Sequence, residues 1–457
     1  DSAVPVILRE LGLADGEEQV AWRRGARHGA RLAAVSRLAP ASGRPFRGFR
    51  TDATYLIVGG LGGVGLTLLR WMIERGARHV VLTGRRPPAA EQEALLRELR
   101  RNGAEIVVEP ADVSVFEAMA AVLSKVSGSM PPLRGVFHAA VVLEDGMLDH
   151  LTAESIRRVL APKTEGAWNL HRLTADLELD LFVLFSSAAS LIGTPGQASY
   201  AAANAFLDGL AHHRRAQGLP GLSLNWGPWA EVGQAARDAK RGQRLADVGL
   251  ASFTPAEGLG LLARMLGASA AQVGAMRFDY DRWRETYPKA AQSPYFAEVG
   301  RAFSASSETP EPSEKAGGVQ PGAEPTVRER ILAAEEDWQR LRLIEEHLCR
   351  QLSRVLRVTA ATVELHTPFR QLGVDSLLAL EFRNRIEAML GLNLPSTLVW
   401  AYPTVAKLAG HLAERLGVAP AASAVPTEGE SLSLDALFQE IDALGDDGVR
   451  RMLSNAP

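Results

Sequence analysis

The sequence predicts a doubly wound α/β domain built on a parallel sheet, followed by a small all-helical domain and a helical tail. Three observations carry this expectation. From residue 54 to about 290, apolar strands alternate with amphipathic helices, the rhythm of a parallel sheet covered on both faces. Residues 330–417 read as mostly helical by periodicity. Between them, residues 301–328 ("RAFSASSETPEPSEKAGGVQPGAEPTVR") are dominated by Pro, Ser, Glu and Gly, a linker composition without a core.

Composition narrows the function. A chain of 457 residues is too long for one ordinary domain. Its formal charge of -3 gives no electrostatic case for nucleic acid. Cys349 is the only cysteine, so no intrachain disulfide forms and a reducing, cytoplasmic interior is expected. No apolar run reaches the roughly eighteen residues of a membrane span. The opening "DSAVPVILRELGL" has neither an initiator Met nor a signal-peptide layout, and reads as the middle of a longer polypeptide.

In chain order, residues 1–50 are short and Arg-rich, with a strand-like "EEQVAWRRGARHGARLAAV". Then come the strand "TYLIVGG", the helix "LTLLRWMIERG", the strand "HVVLTG", a helix near 90–102, the strand "EIVVEPADV", another helix and the strand "GVFHAA". The expected divisions are 51–300 for the α/β domain, 301–329 for the linker, 330–417 for the helical domain, 418–430 for a second linker and 431–457 for the tail. In the tail, Leu434, Leu437, Phe438, Ile441 and Leu444 recur at helical spacing with acidic residues between them. An amphipathic helix of this length needs a partner to bury its apolar face.

A nucleotide site is expected where the first strand meets its helix. "VGGLGGVG" spans Val58, Gly59, Gly60, Leu61, Gly62, Gly63, Val64 and Gly65. The glycines let backbone approach a pyrophosphate, and the helix N-terminus favours its charge. The next strand ends in "LTGRR". An acidic residue there would bind the ribose 2′-hydroxyl of NAD; Arg85 and Arg86 instead suit the 2′-phosphate of NADPH. Asp112 and Val113 follow the third strand, where adenine would lie, and His138, Ala139 and Ala140 end the fourth at the cofactor cleft.

Ser187 and Tyr200 lie in "SSAASLIGTPGQASYAAAN", a stretch with no charged residue. A phenol with an ordinary pKa near 10 is a poor acid at neutrality, and a nearby ammonium improves it. Asn204 cannot supply that ammonium, but "APKTEGAWNL" offers Lys163 on a helix before the Ser187 strand.

With these residues together, the chain resembles the ketoreductase domains of modular polyketide synthases. The resemblance covers about 50–290 and includes "YLIVGGLGGVG", "FHAA", "FSSAAS", "GQASYAAANAFLDGLA" and "LNWGPW". Residues 17–33 resemble the end of that family's structural subdomain. The family exchanges the Lys and Asn positions relative to most short-chain dehydrogenases, so Asn204 is expected where it stands. The resemblance implies a Rossmann-like fold and the tetrad Lys163, Ser187, Tyr200 and Asn204. Ser187 orients the substrate carbonyl, Tyr200 donates the proton, Lys163 tunes it, and Asn204 holds Lys163 or a relay water. Val141 departs from the family's usual Gly after "HAA". Leu143, Glu144 and Asp145 resemble the Leu-Asp-Asp loop of B-type members, while Ile192 replaces the A-type Trp and Ala202 the epimerising Pro. A D-3-hydroxy product without epimerisation is implied. Residues 230–250 are polar and Gly-punctuated, as a lid would be.

"LGVDSLLALEFRNRIE" sets Ser376 at the start of a helix whose Leu378, Phe382, Ile386 and Met389 face a core. The stretch resembles the "GxDSL" of acyl carrier proteins, and its flanks resemble that family's four-helix layout. The resemblance implies a 4′-phosphopantetheine arm on Ser376, attached by a phosphopantetheinyl transferase and carrying a polyketide thioester. The tail resembles C-terminal docking segments that join one synthase polypeptide to the next. Upstream ketosynthase and acyltransferase domains and a homodimeric synthase in a bacterial cytoplasm are implied as partners and setting. No metal site is expected. The rival readings are a dehydrogenase of free ketones or alcohols, and an inactive reductase kept as a scaffold for the carrier.

Overall fold

The computed structural model describes residues 4–13, 15–35, 46–236, 239–307, 326–356, 358–395 and 397–417. The linker expected at 301–329 is shorter at both ends: residues 301–307 continue the helix Ala297–Ser307, because Phe303 packs on Tyr280, and the helix Val327–Ala333 begins inside its far end. Residues 308–325, the second linker and the tail expected to dock lie outside the described residues.

The four strands read from the apolar runs and the strand ending in Ser187 join two further strands in one parallel sheet of seven. In chain order they are β1 (Thr54–Val58), β2 (His79–Gly84), β3 (Glu105–Pro110), β4 (Leu133–His138), β5 (Leu181–Ser187), β6 (Leu222–Trp226) and β7 (Gln272–Ala275). Their spatial order is β7-β6-β5-β4-β1-β2-β3. The chain runs outward from β1 to β3, returns to β4 beside β1, and runs outward the other way. That reversal opens a crevice between the C-terminal ends of β1 and β4, where open α/β sheets bind ligands.

Helices cover both faces, which is why every residue of β1 is buried. Leu68, Leu69, Met72, Leu82 and Phe137 pack on one face, and Leu56, Val81, Met119, Leu170 and Leu207 on the other. The Arg-rich N-terminal stretch forms a short hairpin, Val20–Arg23 against Ala26–Gly29. The helical domain has its own core, in which Leu348, Leu352, Phe369, Phe382, Ile386 and Leu412 are buried. Its long helices are Asp337–Leu356, Ser376–Leu390 and Val405–Arg415, with shorter ones at Val327–Ala333 and Leu398–Ala401. His347 and Cys349 lie on the first long helix, the histidine buried and the thiol half-buried. Among the described residues no helix is long and apolar enough to cross a membrane, and no cluster of metal-binding side chains occurs.

Candidate active site

The glycine loop is shaped by contacts that exclude side chains. Gly59 has φ +79°, and a Cβ there would sit 2.7 Å from the backbone nitrogen of Ala140. A Cβ on Gly65 would sit 2.4 Å from the Gly59 carbonyl oxygen. The end of β1 therefore lies directly against the end of β4, and the helix Gly63–Glu74 starts immediately behind the loop. Gly59 and Gly60 both donate to the Thr83 carbonyl, and Gln92 Nε2 donates to that of Leu61 at 2.8 Å. The helix has Gly62 at its N-cap with no side-chain cap, leaving backbone donors for an anion. This cradle fits the pyrophosphate of a nicotinamide cofactor. Arg85 and Arg86 are exposed just beyond β2, the strand next to β1.

Lys163, Ser187 and Tyr200 line one cleft with Gly59, Gly62, Gly63, Val64 and Gly65. The cleft encloses about 1100 Å³, its open mouth included, and is also walled by Ala139, Val141, Trp226 and Trp229. Ser187 is the last residue of β5, and Tyr200 lies in the first turn of the helix Ala198–Ala216. Lys163 is not within a helix, as expected from sequence, but in the turn between the helices Ala153–Leu160 and Glu165–Leu173.

Lys163 is held by a strand carbonyl, and Asn204 does not bond it directly. The lysine is 2% exposed, and its Nζ donates to the Phe185 carbonyl at 2.7 Å and lies 6.0 Å from the centre of the Tyr200 ring. Asn204 is fully buried one turn below Tyr200 and donates to the Tyr200 carbonyl at 2.7 Å. It braces the tyrosine helix, while a strand carbonyl holds the lysine.

Burial pushes Lys163 down to about 7, and the charge of Asp208 opposes that fall. Asp208 is itself buried, and accepts from Ser190 Oγ at 2.7 Å, Ser223 Oγ at 2.5 Å and Asn225 Nδ2 at 2.9 Å. Asn225 Nδ2 also reaches Ser186 Oγ at 3.1 Å, which links this network to the strand beside Ser187. Burial raises Tyr200 above the usual phenol range, opposed by its hydrogen bond with Ser187. Tyr200 is therefore a neutral phenol at physiological pH, the form that can give up a proton.

Other expected cofactor contacts fall elsewhere. His138 is fully buried, its pKa lowered to about 3 by burial and by Lys163, so it is neutral. Its Nε2 lies 2.8 Å from the Pro162 carbonyl, which can only accept, so Nε2 carries the proton and anchors the turn bearing Lys163. Val113 is packed in the core, where a Cβ on Gly166 would meet it at 2.7 Å. Asp112 accepts from the backbone and hydroxyl of Ser114, at 3.0 and 2.6 Å. Neither residue lines the cleft, and Ala140 meets the glycine loop through its backbone.

Two contributors escape sequence reasoning. Asp208 had a signal, since Tyr200, Asn204 and Asp208 recur every four residues on one helix face. Arg241, on the helix Ala239–Asp247, lines the cleft and forms a 2.6 Å ion pair with Asp145. Asp145 also accepts from Gln197 Nε2 at 3.1 Å, three residues before Tyr200. The polar segment expected as a lid is thus tied to the loop expected to set stereochemistry.

Residues 53–231 match the KR domain family, and residues 346–412 match the phosphopantetheine attachment site family. The chain is 41% identical over 379 residues to the spectinabilin polyketide synthase system protein NorB of Streptomyces orinoci, covering 82% of this chain and 17% of that protein. It is 38% identical over 386 residues to the phenolphthiocerol synthesis polyketide synthase type I Pks15/1 of Mycobacterium marinum (strain ATCC BAA-535 / M), covering 83% of this chain and 18% of that protein. The chain thus spans less than a fifth of the length of these relatives. Among solved structures it is similar to A-type ketoreductases from a modular polyketide synthase, at 36% identity and TM-score 0.61, covering 66% of this chain and 63% of that one. It is also similar to the first ketoreductase of the tylosin PKS, at 35% identity and TM-score 0.57, covering 66% of this chain and 65% of that one.

Proposed function

Because this chain carries a polyketide synthase ketoreductase domain followed by a phosphopantetheine carrier domain, we propose that it reduces a carrier-bound β-ketoacyl thioester to the β-hydroxyacyl thioester with NADPH. The observation that carries the proposal is the sharing of one cleft by Lys163, Ser187, Tyr200 and the glycine loop.

The Gly59–Gly65 loop and the helix start behind it would hold the nicotinamide cofactor, which when bound would supply hydride to the β-carbon. Ser187 Oγ donates a hydrogen bond to the ketone oxygen and fixes its orientation. Tyr200 transfers its hydroxyl proton to that oxygen, so the C=O becomes CH–OH and the phenol becomes phenolate. Lys163, held on the Phe185 carbonyl, returns a proton to Tyr200. General acid catalysis of this kind contributes on the order of 10²–10⁴ in rate. Arg85 and Arg86 favour the 2′-phosphate, hence NADPH over NADH. Ser376 carries the 4′-phosphopantetheine arm placed there by a phosphopantetheinyl transferase. The upstream ketosynthase and acyltransferase domains supply the substrate, and residues 431–457 hand the chain to the next polypeptide. The setting is a homodimeric synthase in a bacterial cytoplasm.

The product is assigned the D-3-hydroxy configuration of B-type reduction. Asp145 supports this, since it is the retained acid of the Leu143–Asp145 loop and is braced from both Gln197 and Arg241. One observation favours the rival scaffold reading: Val141 lies in the cleft wall where the resembled family has Gly.

The test is to load a β-ketoacyl group on the carrier of the full chain and add NADPH. The carrier-bound acyl group is expected to gain two hydrogens by intact mass, with D-3-hydroxy acid released on hydrolysis. An L product would overturn the stereochemical assignment, and an unchanged mass would favour the scaffold.

A further inference from the structure

We infer that the corner of the reductase around Tyr287 and Lys289 is a docking site for the carrier's Ser376 helix, giving the carrier a defined resting position on its own reductase. The inference rests on reading residues 326–417 as the carrier.

The corner stands on a packed aromatic base. It consists of the helices Tyr280–Thr286 and Pro288–Ala291. Beneath it Tyr280, Trp283, Tyr295 and Phe296 are buried together, with the Trp283 and Phe296 rings 4.5 Å apart and Tyr287 5.7 Å from Trp283. A lysine projecting from such a base is well placed to recognise a partner by charge.

Two contacts join this corner to the carrier. Lys289 Nζ lies 2.9 Å from Glu387 Oε1, on the helix Ser376–Leu390, and 2.8 Å from Asn393 Oδ1 just beyond it. Tyr287 feels the charges of Glu381 and Arg385, which pair with each other at 3.0 Å. Glu387 is almost closed from solvent, and Arg383 and the Leu394 backbone also bind it, at 2.6 Å each. Its carboxylate is thus held by two groups of the carrier as well as by Lys289.

The direct contacts of Lys289 fall in and just beyond the last turn of the helix, with Glu387 eleven residues past Ser376, or ~16 Å along the axis. Glu381, whose charge reaches Tyr287, lies five residues past Ser376, or ~7.5 Å. The attachment serine stands at the opposite end of the helix from Glu387.

Lys289 is 59% exposed in the pair with Glu387, so the attraction is modest and weakened by salt. The tether compensates. Joining the two domains in one chain, with 18 residues between Ser307 and Thr326, gives an effective concentration on the order of millimolar, enough to occupy a weak site while leaving it reversible. Any other domain that contacts this face of the carrier must first displace the reductase.

The test uses the full chain with Cys349→Ala, so that no native thiol competes. Lys289→Cys with Asn393→Cys should form an intrachain disulfide under mild oxidation at least tenfold faster than the control pair Arg97→Cys with Asn393→Cys, because Arg97 lies on the helix Ala90–Arg101 at the other edge of the sheet. In a second arm, spin labels at Arg97→Cys and Arg354→Cys report the interdomain distance. A narrow distribution is expected, broadened by Lys289→Asp and restored when Asn393→Lys is added. Equal disulfide rates, a disulfide-linked dimer, or a charge swap that restores nothing would overturn the inference. Neither arm requires reduction of a ketone. A chain that docks but does not reduce a diffusible thioester would refute the reductase reading and leave the docking site standing.

Discussion

Lys163 and Phe185 are joined by a 2.7 Å hydrogen bond from the lysine Nζ to the phenylalanine carbonyl, two residues before Ser187 on the same strand. The bond ties the amine to the strand that ends in Ser187, and so fixes the lysine relative to the serine. Asn204, four residues after Tyr200, donates to the tyrosine carbonyl.

This geometry predicts a pH limit on reduction. Burial holds Lys163 at about 7. If its ammonium returns the proton to Tyr200, kcat falls as pH rises through that value and approaches a tenfold loss per unit above it. The stability effect has a defined sign. The native lysine sheds its proton at lower pH than the unfolded one, whose value is ordinary. Between about 7 and the ordinary lysine range, the unfolded state binds more protons, so stability rises with pH there. Lys163→Met should remove both dependences and slow reduction by ~10² or more. Rate profiles and urea titrations across pH ~6–10 check this.

Asp208 should matter to both stability and the lysine. Asp208→Ala strands the buried Ser223 hydroxyl, while Ser190 Oγ keeps the Ser187 carbonyl and Asn225 Nδ2 keeps Ser186 Oγ. At about 1–3 kcal/mol for an unsatisfied buried group, the loss should be roughly 1–3 kcal/mol. Asp208→Asn keeps the shape but removes the charge that opposes the fall of Lys163, so the pH limit should move lower. Thermal unfolding and the rate profile separate these effects.

Cofactor affinity should fail at the glycine loop before the fold does. The Cβ of Gly65→Ala would lie 2.4 Å from the Gly59 oxygen, which forces the loop to shift. NADPH affinity should fall at least tenfold, measured by fluorescence titration. Replacing Arg85 and Arg86 with Ala should narrow the gap between NADPH and NADH while sparing NADH binding.

The segment expected as a lid should respond to loss of its ion pair with Asp145. Arg241→Ala breaks the ion pair with Asp145, which is about one-third exposed. The expected result is a several-fold lower kcat/KM for a diffusible thioester with NADPH affinity unchanged. Measuring both constants on one preparation decides it.

How much of this was legible in the sequence follows from the range of each signal. The strands were legible because a parallel sheet buried on both faces demands long apolar runs. The glycine loop was legible because its turn, close approach and helix start are contiguous. Lys163 is found from the chemical need of Tyr200 for a cation, but not its partner, because the Phe185 carbonyl is a backbone group that any residue could present. His138 and Val113 end or follow their strands as cleft residues do, yet strand periodicity could not show that both turn into the interior. Arg241 was invisible, since its ion pair joins it to Asp145, 96 residues away in sequence.

The most direct measurement is NADPH oxidation with a β-ketoacyl N-acetylcysteamine thioester, comparing wild type with Tyr200→Phe. Proton donation by Tyr200 predicts turnover in the wild type and a loss of ~10²–10⁴ in the variant, with NADPH still bound. Equal rates in the two proteins would contradict Tyr200 as the proton donor. NADPH binding with no wild-type turnover would contradict reduction itself.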